Sequence, residues 1–253
     1  ILPPHVNQSS EAFAVADGNI HFSLSAVKNL GRGFIRRMTQ ERTLNGRFTD
    51  FYDFCKRMHG KDFNRRAIES LIKCGAFDGM GANRRQMFLV IDSIIEELES
   101  DRRRNVDGQL GFGDLFSPVD EAPVTETSFT YPQADEFAPD LLLKYEKEVA
   151  GMYLSGHPMS KYLSLSQKLG CARISDITDN ENVIYKDNDR VTVLGLISSV
   201  KRKITKSDAT MAFLNFEDTY GSTEVIVFPK TLAEKPMMFY EGNIVLIHGR
   251  VSM

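Results

Sequence analysis

Tryptophan is absent from the 253 residues, and only three cysteines, five histidines and nine prolines occur. Cys55, Cys74 and Cys171 are odd in number and far apart, which excludes a disulfide framework and a paired-cysteine metal site. They read as small, partly buried side chains of a cytoplasmic protein. The histidines (5, 21, 59, 157 and 248) are scattered, with none of the close spacings that a structural zinc site uses. No stretch approaches the roughly 20 apolar residues that span a bilayer, so no membrane partner is expected. The N-terminus, Ile1-Leu2-Pro3-Pro4, has no initiator Met, basic region or apolar core of a signal peptide. It reads as a cut inside a longer chain, and the C-terminus stops as abruptly after a strand-like run.

Catalytic signatures are equally scarce. There is no Gly-x-Ser-x-Gly, no Gly-Lys-Ser/Thr phosphate loop and no plausible Cys–His pair. Metal-dependent phosphoryl transfer needs converging carboxylates. The only Asp-x-Asp, Asp187-Asn188-Asp189, sits in a polar stretch before a strand and reads as turn chemistry. Glu96-Glu97-Leu98-Glu99 and Glu146-Lys147-Glu148 read as solvated helix faces. No catalytic residue, metal ligand or cofactor site is therefore expected here.

What is present is a soluble composition, 42% hydrophobic and 26% charged, on a length that suits two or three small domains. The net charge of −3 conceals a strong asymmetry. Residues 28–91 carry 14 Lys and Arg against 6 Asp and Glu, a balance of +8. Residues 107–148 carry 2 against 10, a balance of −8, and residues 190–253 carry 8 against 6. A basic block followed by an acidic one fits a polyanion-binding module beside a solvated segment, or charges that merely cover exposed helix faces.

Residues 1–20 read as loop and turn. Helical periodicity follows through Leu24, Val27, Leu30, Ile35 and Met38, broken at Gly31-Arg32-Gly33. A second helix has Phe51, Phe54, Cys55 and Met58 on one face. A third runs from an Asn64 cap through Ala67, Ile68, Leu71 and Ile72 to Gly75, and Asn83 caps a fourth with Met87, Val90, Ile91, Ile94, Ile95 and Leu98 apolar. Glycines, prolines and acids then interrupt residues 105–139, and a further helix covers residues 141–149. From residue 190 the period becomes two, with strands beginning at Val191, Met211, Thr223 and Asn243. Four strands with an insertion before the last fit an OB-type barrel lacking its fifth strand.

Three constellations stand out. Gly31-Arg32-Gly33 lies between helices with Lys28, Arg36 and Arg37 nearby, and Gly75, Gly79 and Gly81 lie between helices followed by Arg84 and Arg85. Glycines let backbone amides face an anion, and the next helix adds its positive end. Two such hairpins suit sequence-independent grip on a duplex, or simply cap a four-helix unit. In the acidic stretch, Gln109, Leu110, Phe112, Leu115 and Phe116 form an apolar patch that fits a peptide docking into a pocket, or that packs back on its own chain. Lys201, Arg202, Lys203 and Lys206 are expected in a loop between the first two strands, near Phe213 and Phe216. Charge and stacking there suit single strands, and the three-residue spacing puts the two rings on opposite faces.

Four runs carry a family resemblance: Leu2-Pro3-Pro4-x-Val6-Asn7-x-Ser9; Ile20-x-Phe22-x-Leu24-x-Ala26-Val27-Lys28-x-Leu30-Gly31; Ser70-Leu71-Ile72-x-x-Gly75-Ala76-Phe77-Asp78; and Glu146-Lys147-Glu148-x-x-Gly151-x-Tyr153-Leu154-Ser155-Gly156-His157-Pro158. Together with Met211-Ala212-Phe213 and Phe216-Glu217-Asp218, they resemble the alpha subunits of bacterial DNA polymerase III, the C-family replicative polymerases. The resemblance implies the end of the fingers at 1–20 and a tandem helix-hairpin-helix DNA-binding region at 21–104. It implies an acidic linker with a sliding-clamp peptide at 105–140, a helical connector at 141–185 and an incomplete OB-type nucleic-acid-binding domain at 186–253. The family's catalytic aspartates and the Mg2+ they take belong to a palm domain upstream, so this chain is expected to be inactive alone. The family's clamp motif, Gln-x-x-Leu-Phe, is split here, so either Gln109-Leu110-x-Phe112 or Leu115-Phe116 is the anchor. The expected partners are double- and single-stranded DNA, the beta sliding clamp and other replicase subunits. The alternative is a protein-interaction scaffold within the replication complex without DNA contact.

Overall fold

Apolar residues recur every three or four positions through the first half of the chain and at every second position after residue 190. The computed structural model follows that switch, and it describes residues 1–16, 18–60, 63–106, 129–178, 184–205 and 208–252. Helices come first and a curled antiparallel sheet follows, in two units, Ile1–Ser155 and Gly156–Met253, each with its own apolar core. Among the described residues no helix is long and apolar enough to cross a membrane.

The helical unit begins with a short hairpin, β1 (Ala14–Ala16) and β2 (Asn19–His21), where loop and turn were expected. Ala16 pairs with Asn19 across a turn in which Gly18 takes φ 72°. Strands of three residues are too short to show a period of two in the sequence, so only the turn was legible. Among the described residues five helices follow: α1 (Arg32–Asn45), α2 (Phe51–Met58), α3 (Arg65–Lys73), α4 (Arg84–Val106) and α5 (Pro139–Ala150). Asp50 caps α2 and Asn64 caps α3 through side chains that accept from Asp53 N and Ala67 N.

The spacing of Phe51, Phe54, Cys55 and Met58 gives α2 a single apolar face, and all four are buried. Phe54 meets Phe77, Phe48 and Phe34 edge-to-face, with ring centroids 4.9, 4.9 and 6.4 Å apart. Each fully buried ring contributes about 1.5–3 kcal/mol from removal of apolar area alone. Ile68, Leu71 and Ile72 of α3 and Met87, Ile91 and Ile94 of α4 complete this core. Helix α5 packs on α3, with Val149 buried and Lys73 paired to Glu148 at 2.6 Å.

The second unit has two short helices, α6 (Leu163–Lys168) and α7 (Ile174–Thr178), ahead of the strands. Its sheet consists of β3 (Arg190–Ile204), β4 (Thr210–Glu217), β5 (Ser222–Val227) and β6 (Ile244–Arg250) in the order β5-β4-β3-β6. A short helix, α8 (Pro229–Glu234), fills the insertion before β6. Every pairing is antiparallel. Strand β3 serves two partners: residues 190–196 pair with β6 and residues 196–204 with β4. Its register slips between Ile197 and Ser199, the kind of bulge that bends a strand. Gly195 lies two residues before that bulge, where an added Cβ would lie 2.7 Å from the Phe216 ring and from the Glu217 carbonyl. Only glycine lets Phe216 close over the strand.

Candidate nucleic-acid interface

The first hairpin is built around a 3-10 turn, Leu24–Ala26, capped by Ser23. Asn29 then takes φ 64°, and Gly31 becomes the N-cap of α1 in extended conformation. Arg32 and Gly33 thus lie inside the first turn of the helix rather than in an open loop. Gly31 makes no side-chain cap, and the first turn holds no acid. Among the described residues the positive end of this 14-residue helix has no carboxylate or hydroxyl on its first amides. Cβ atoms added at Gly31 and Gly33 would meet nothing within 4 Å, so another molecule has room to approach. Lys28, Arg32 and Arg36 are exposed around this point, with Glu11 beside the two arginines. Arg37 turns away, donating through Nη2 to the His59 carbonyl at 2.8 Å.

The second hairpin has a different chemistry. Gly75, Gly79 and Gly81 all have positive φ, 79°, 82° and 95°. At Gly75 the glycine is needed twice, because a Cβ there would also collide with Nη2 of Arg84. Arg84 was expected to touch DNA; it is 4% exposed and fully engaged inside the protein. Its guanidinium donates to both oxygens of Asp78, at 3.0 and 2.6 Å, to Oε1 of Glu146 at 3.1 Å and to the Lys73 carbonyl at 3.0 Å. Burial alone would lower the Arg84 pKa, but hydrogen bonds and charge from Asp78 and Glu146 outweigh it and hold it above the ordinary value. Glu146, read from sequence as a solvated face, is wholly buried and also accepts from the amides of Leu154 and Ser155 at 2.8 and 2.9 Å. The Leu154-Ser155 part of the family run is therefore fastened to the same carboxylate that neutralises Arg84.

The N-terminus of α4 is filled as well. Asn83 Oδ1 accepts from Gln86 N at 2.8 Å, and Gln86 Oε1 accepts from Asn83 N at 2.9 Å, a reciprocal capping box. The two oxygens of Glu136 accept from the amides of Arg84 and Arg85 at 2.9 and 3.1 Å. Glu136 belongs to residues 129–138, which cross α2 and α4 as a strap where an open linker was expected. Phe129 stacks on Tyr52 at 4.9 Å, Tyr52 N donates to Tyr131 Oη, and Pro132 and Ala134 carbonyls accept from the side chains of Gln86 and Asn83. Tyr52 in turn donates to Glu97 at 2.8 Å, a bond that pushes its pKa up to about 12. Of the cations near this hairpin, Arg85 remains exposed.

In the sheet unit, Lys201, Arg202 and Lys203 stand within β3, not in the expected loop, because the ladder with β4 continues through Lys201–Phe213 and Lys203–Met211. Phe216 is buried while Phe213 is half-exposed, so the two rings do lie on opposite faces. Lys203 Nζ lies 4.8 Å above the Phe213 ring, and Ile226 stands opposite Phe213 on β5. Arg202, on the alternate face, lies over Tyr240 at 5.5 Å. Lys206 and the residues expected to form a docking peptide, Gln109, Leu110, Phe112, Leu115 and Phe116, fall outside the described residues. Among the described residues no group of three or more His, Cys, Asp or Glu is arranged to hold a metal ion.

Glu11, Glu136 and Glu146 were not singled out from the sequence as partners of the hairpins. The Asn83-x-x-Gln86 spacing does announce the capping box, but each glutamate reaches its partner from another part of the fold and leaves no local signal.

A helix-hairpin-helix motif family matches residues 1–87. Across its full length the chain is 32% identical to the DNA polymerase III subunit alpha of Borreliella burgdorferi, of which it covers 21%. It is 34% identical over 91% of its length to the subunit alpha of Deinococcus radiodurans, and 36% identical over 90% of its length to that of Thermus aquaticus, covering 17% and 18% of those proteins. The chain thus spans about a fifth of the length of the curated relatives it matches.

Proposed function

The chain belongs to the DNA polymerase III alpha-subunit family, and from that premise we propose that it holds DNA and docks a sliding clamp during processive replication, without supplying the catalytic residues itself. The observation that carries this reading is the first hairpin: an uncapped helix end with Lys28, Arg32 and Arg36 exposed around it. Backbone amides and these cations would contact phosphates, which fix position on a duplex without reading bases. The sheet, read as an OB-type domain, would meet single strands with Lys201, Lys203 and the half-exposed Phe213, through charge and stacking. The acidic segment would dock the clamp through Gln109, Leu110, Phe112, Leu115 and Phe116. Linking weak sites on one chain raises their effective concentration, so processivity follows without any one tight contact. The polymerase reaction and its Mg2+ are assigned to parts of the alpha subunit beyond this fifth of its length, in a bacterial cytoplasm.

Fluorescence anisotropy of labelled duplex, primer-template and single-stranded DNA across a salt series tests the reading. Three phosphate contacts by Lys28, Arg32 and Arg36 give a log–log salt slope of about −3 for duplex. A flat salt dependence, or no binding at low salt by folded protein, would overturn DNA holding and leave the scaffold reading. Changing Gln109, Leu115 and Phe116 together to Ala is expected to abolish clamp binding while leaving DNA affinity intact.

A further inference from the structure

Glu11 is the one carboxylate paired with the cations of the first hairpin among the described residues, and its position is built rather than incidental. Its carbonyl accepts from Ser23 Oγ at 2.5 Å, the neighbouring Ser10 carbonyl accepts from Leu24 N at 2.9 Å, and Ser10 Oγ donates to the Ala12 carbonyl. The turn carrying Glu11 is thereby pinned to the 3-10 segment that leads into the hairpin. From there its two oxygens divide between arginines one helical turn apart. Oε2 accepts from Nε of Arg36 at 3.1 Å, and Oε1 lies 3.6 Å from Nε of Arg32. Both arginine side chains are largely exposed, at 79% and 66%, so they stay accessible to another anion.

We propose that Glu11 is an affinity-limiting residue of the duplex-binding surface: its carboxylate competes with DNA phosphates for Arg32 and Arg36, so that each contact forms by exchange of one anion for another. The inference rests on the DNA-holding reading above and adds a residue that works against it. An exposed ion pair is weak and salt-screened, which is what an exchangeable contact requires.

Duplex binding by the whole 253-residue chain, measured by anisotropy for wild type, Glu11→Gln, Arg32→Gln/Arg36→Gln and the triple combination, tests it. Glu11→Gln is expected to bind up to about fivefold more tightly at low salt, the equivalent of one exposed ion pair. The gain should shrink as salt rises and vanish when both arginines are already Gln, the signature of a pairwise effect. Superimposable thermal melts for wild type and Glu11→Gln establish that the fold is unchanged. Equal affinity for wild type and Glu11→Gln, with the arginine variant weakened, overturns the proposal and leaves DNA holding intact. A gain that persists without the arginines also overturns it, since the effect would then be net charge alone. No binding by any variant at low salt overturns the DNA reading and the proposal together.

Discussion

The two hairpins of the helical unit each place glycine ahead of a following helix, yet they leave their helix ends in opposite states. At α1 the first amides have no side-chain cap, and the nearest cations are exposed and loosely paired. At α4 the amides of Arg84, Arg85 and Gln86 are taken by Glu136 and Asn83, and the Arg84 side chain is buried between Asp78 and Glu146. The same helix-end geometry thus faces solvent once, and once is satisfied by Glu136 and Asn83 of the protein itself. A glycine before a helix frees the first amides for an acceptor, and tertiary structure decides whether the protein itself supplies one.

The closed hairpin is where a single substitution should cost the most. Replacing Glu146 with Ala leaves Arg84 without one of its buried partners and two amides, of Leu154 and Ser155, without an acceptor. A loss of about 3–5 kcal/mol is expected from breaking a buried ion pair this way. Urea denaturation reads it, and duplex affinity of the folded fraction should hold if the open hairpin does the gripping. Gly75→Ala comes next: the left-handed conformation alone costs about 1–2 kcal/mol, and the new Cβ must also displace the guanidinium. Glu136→Ala should cost about 1 kcal/mol, as loss of a helix cap does, with no loss of duplex affinity. If Glu136→Ala weakened binding instead, the closed hairpin would be part of the DNA surface.

At the open hairpin the signs reverse. Changing Arg32 and Arg36 to Ala should leave the urea midpoint nearly unmoved, as exposed substitutions do, while flattening the salt slope of duplex binding by about two. Changing Arg84 to Ala should do the opposite. A drop in slope with Arg84→Ala at unchanged stability would erase the distinction between the two hairpins.

Much of the fold was legible because local chemistry and tertiary packing agree. The Asn64 and Asn83 caps, the apolar face of α2 and the alternation of Ala212, Leu214 and Phe216 each announce the element that forms. The site was legible only in part. Arg84 and Arg85 are adjacent and alike in sequence, but a helix turns one inward onto Asp78 and Glu146 and leaves the other in solvent. The charge count of +8 in the basic block treats them as equal. Residues 129–138 read as linker because they continue the glycine-, proline- and acid-interrupted stretch of residues 105–139, whereas their aromatic residues and carbonyls dock on α2 and α4. Lys201, Arg202 and Lys203 look like a loop because charges are poor strand formers, yet ladder pairing with β4 carries the strand through them.

The smallest expected effect is a pH dependence confined to the closed side. His5 lies beside that hairpin, with Asp78 near its ring and Asn7 N donating to its Nδ1 at 3.0 Å. Burial first, and the charge of Arg47 second, hold its pKa below 6.5, and Asp78 offsets them only in part. The unfolded chain therefore binds a proton on this group more readily than the folded one, so stability rises with pH across the interval below 6.5. Above 6.5 the contribution is fully present, and it is lost as pH falls through the unfolded value toward the folded one. Urea midpoints measured at pH 5 and pH 7.5 for wild type and His5→Gln isolate it, because carboxylates common to both proteins cancel. The wild type should lose more stability on acidification than the variant, and duplex affinity of the folded fraction at a fixed salt should show no matching difference. A matching loss of affinity at pH 5 would mean that protonating the closed hairpin reaches the open one, and the two ends would have to be treated as a single coupled surface.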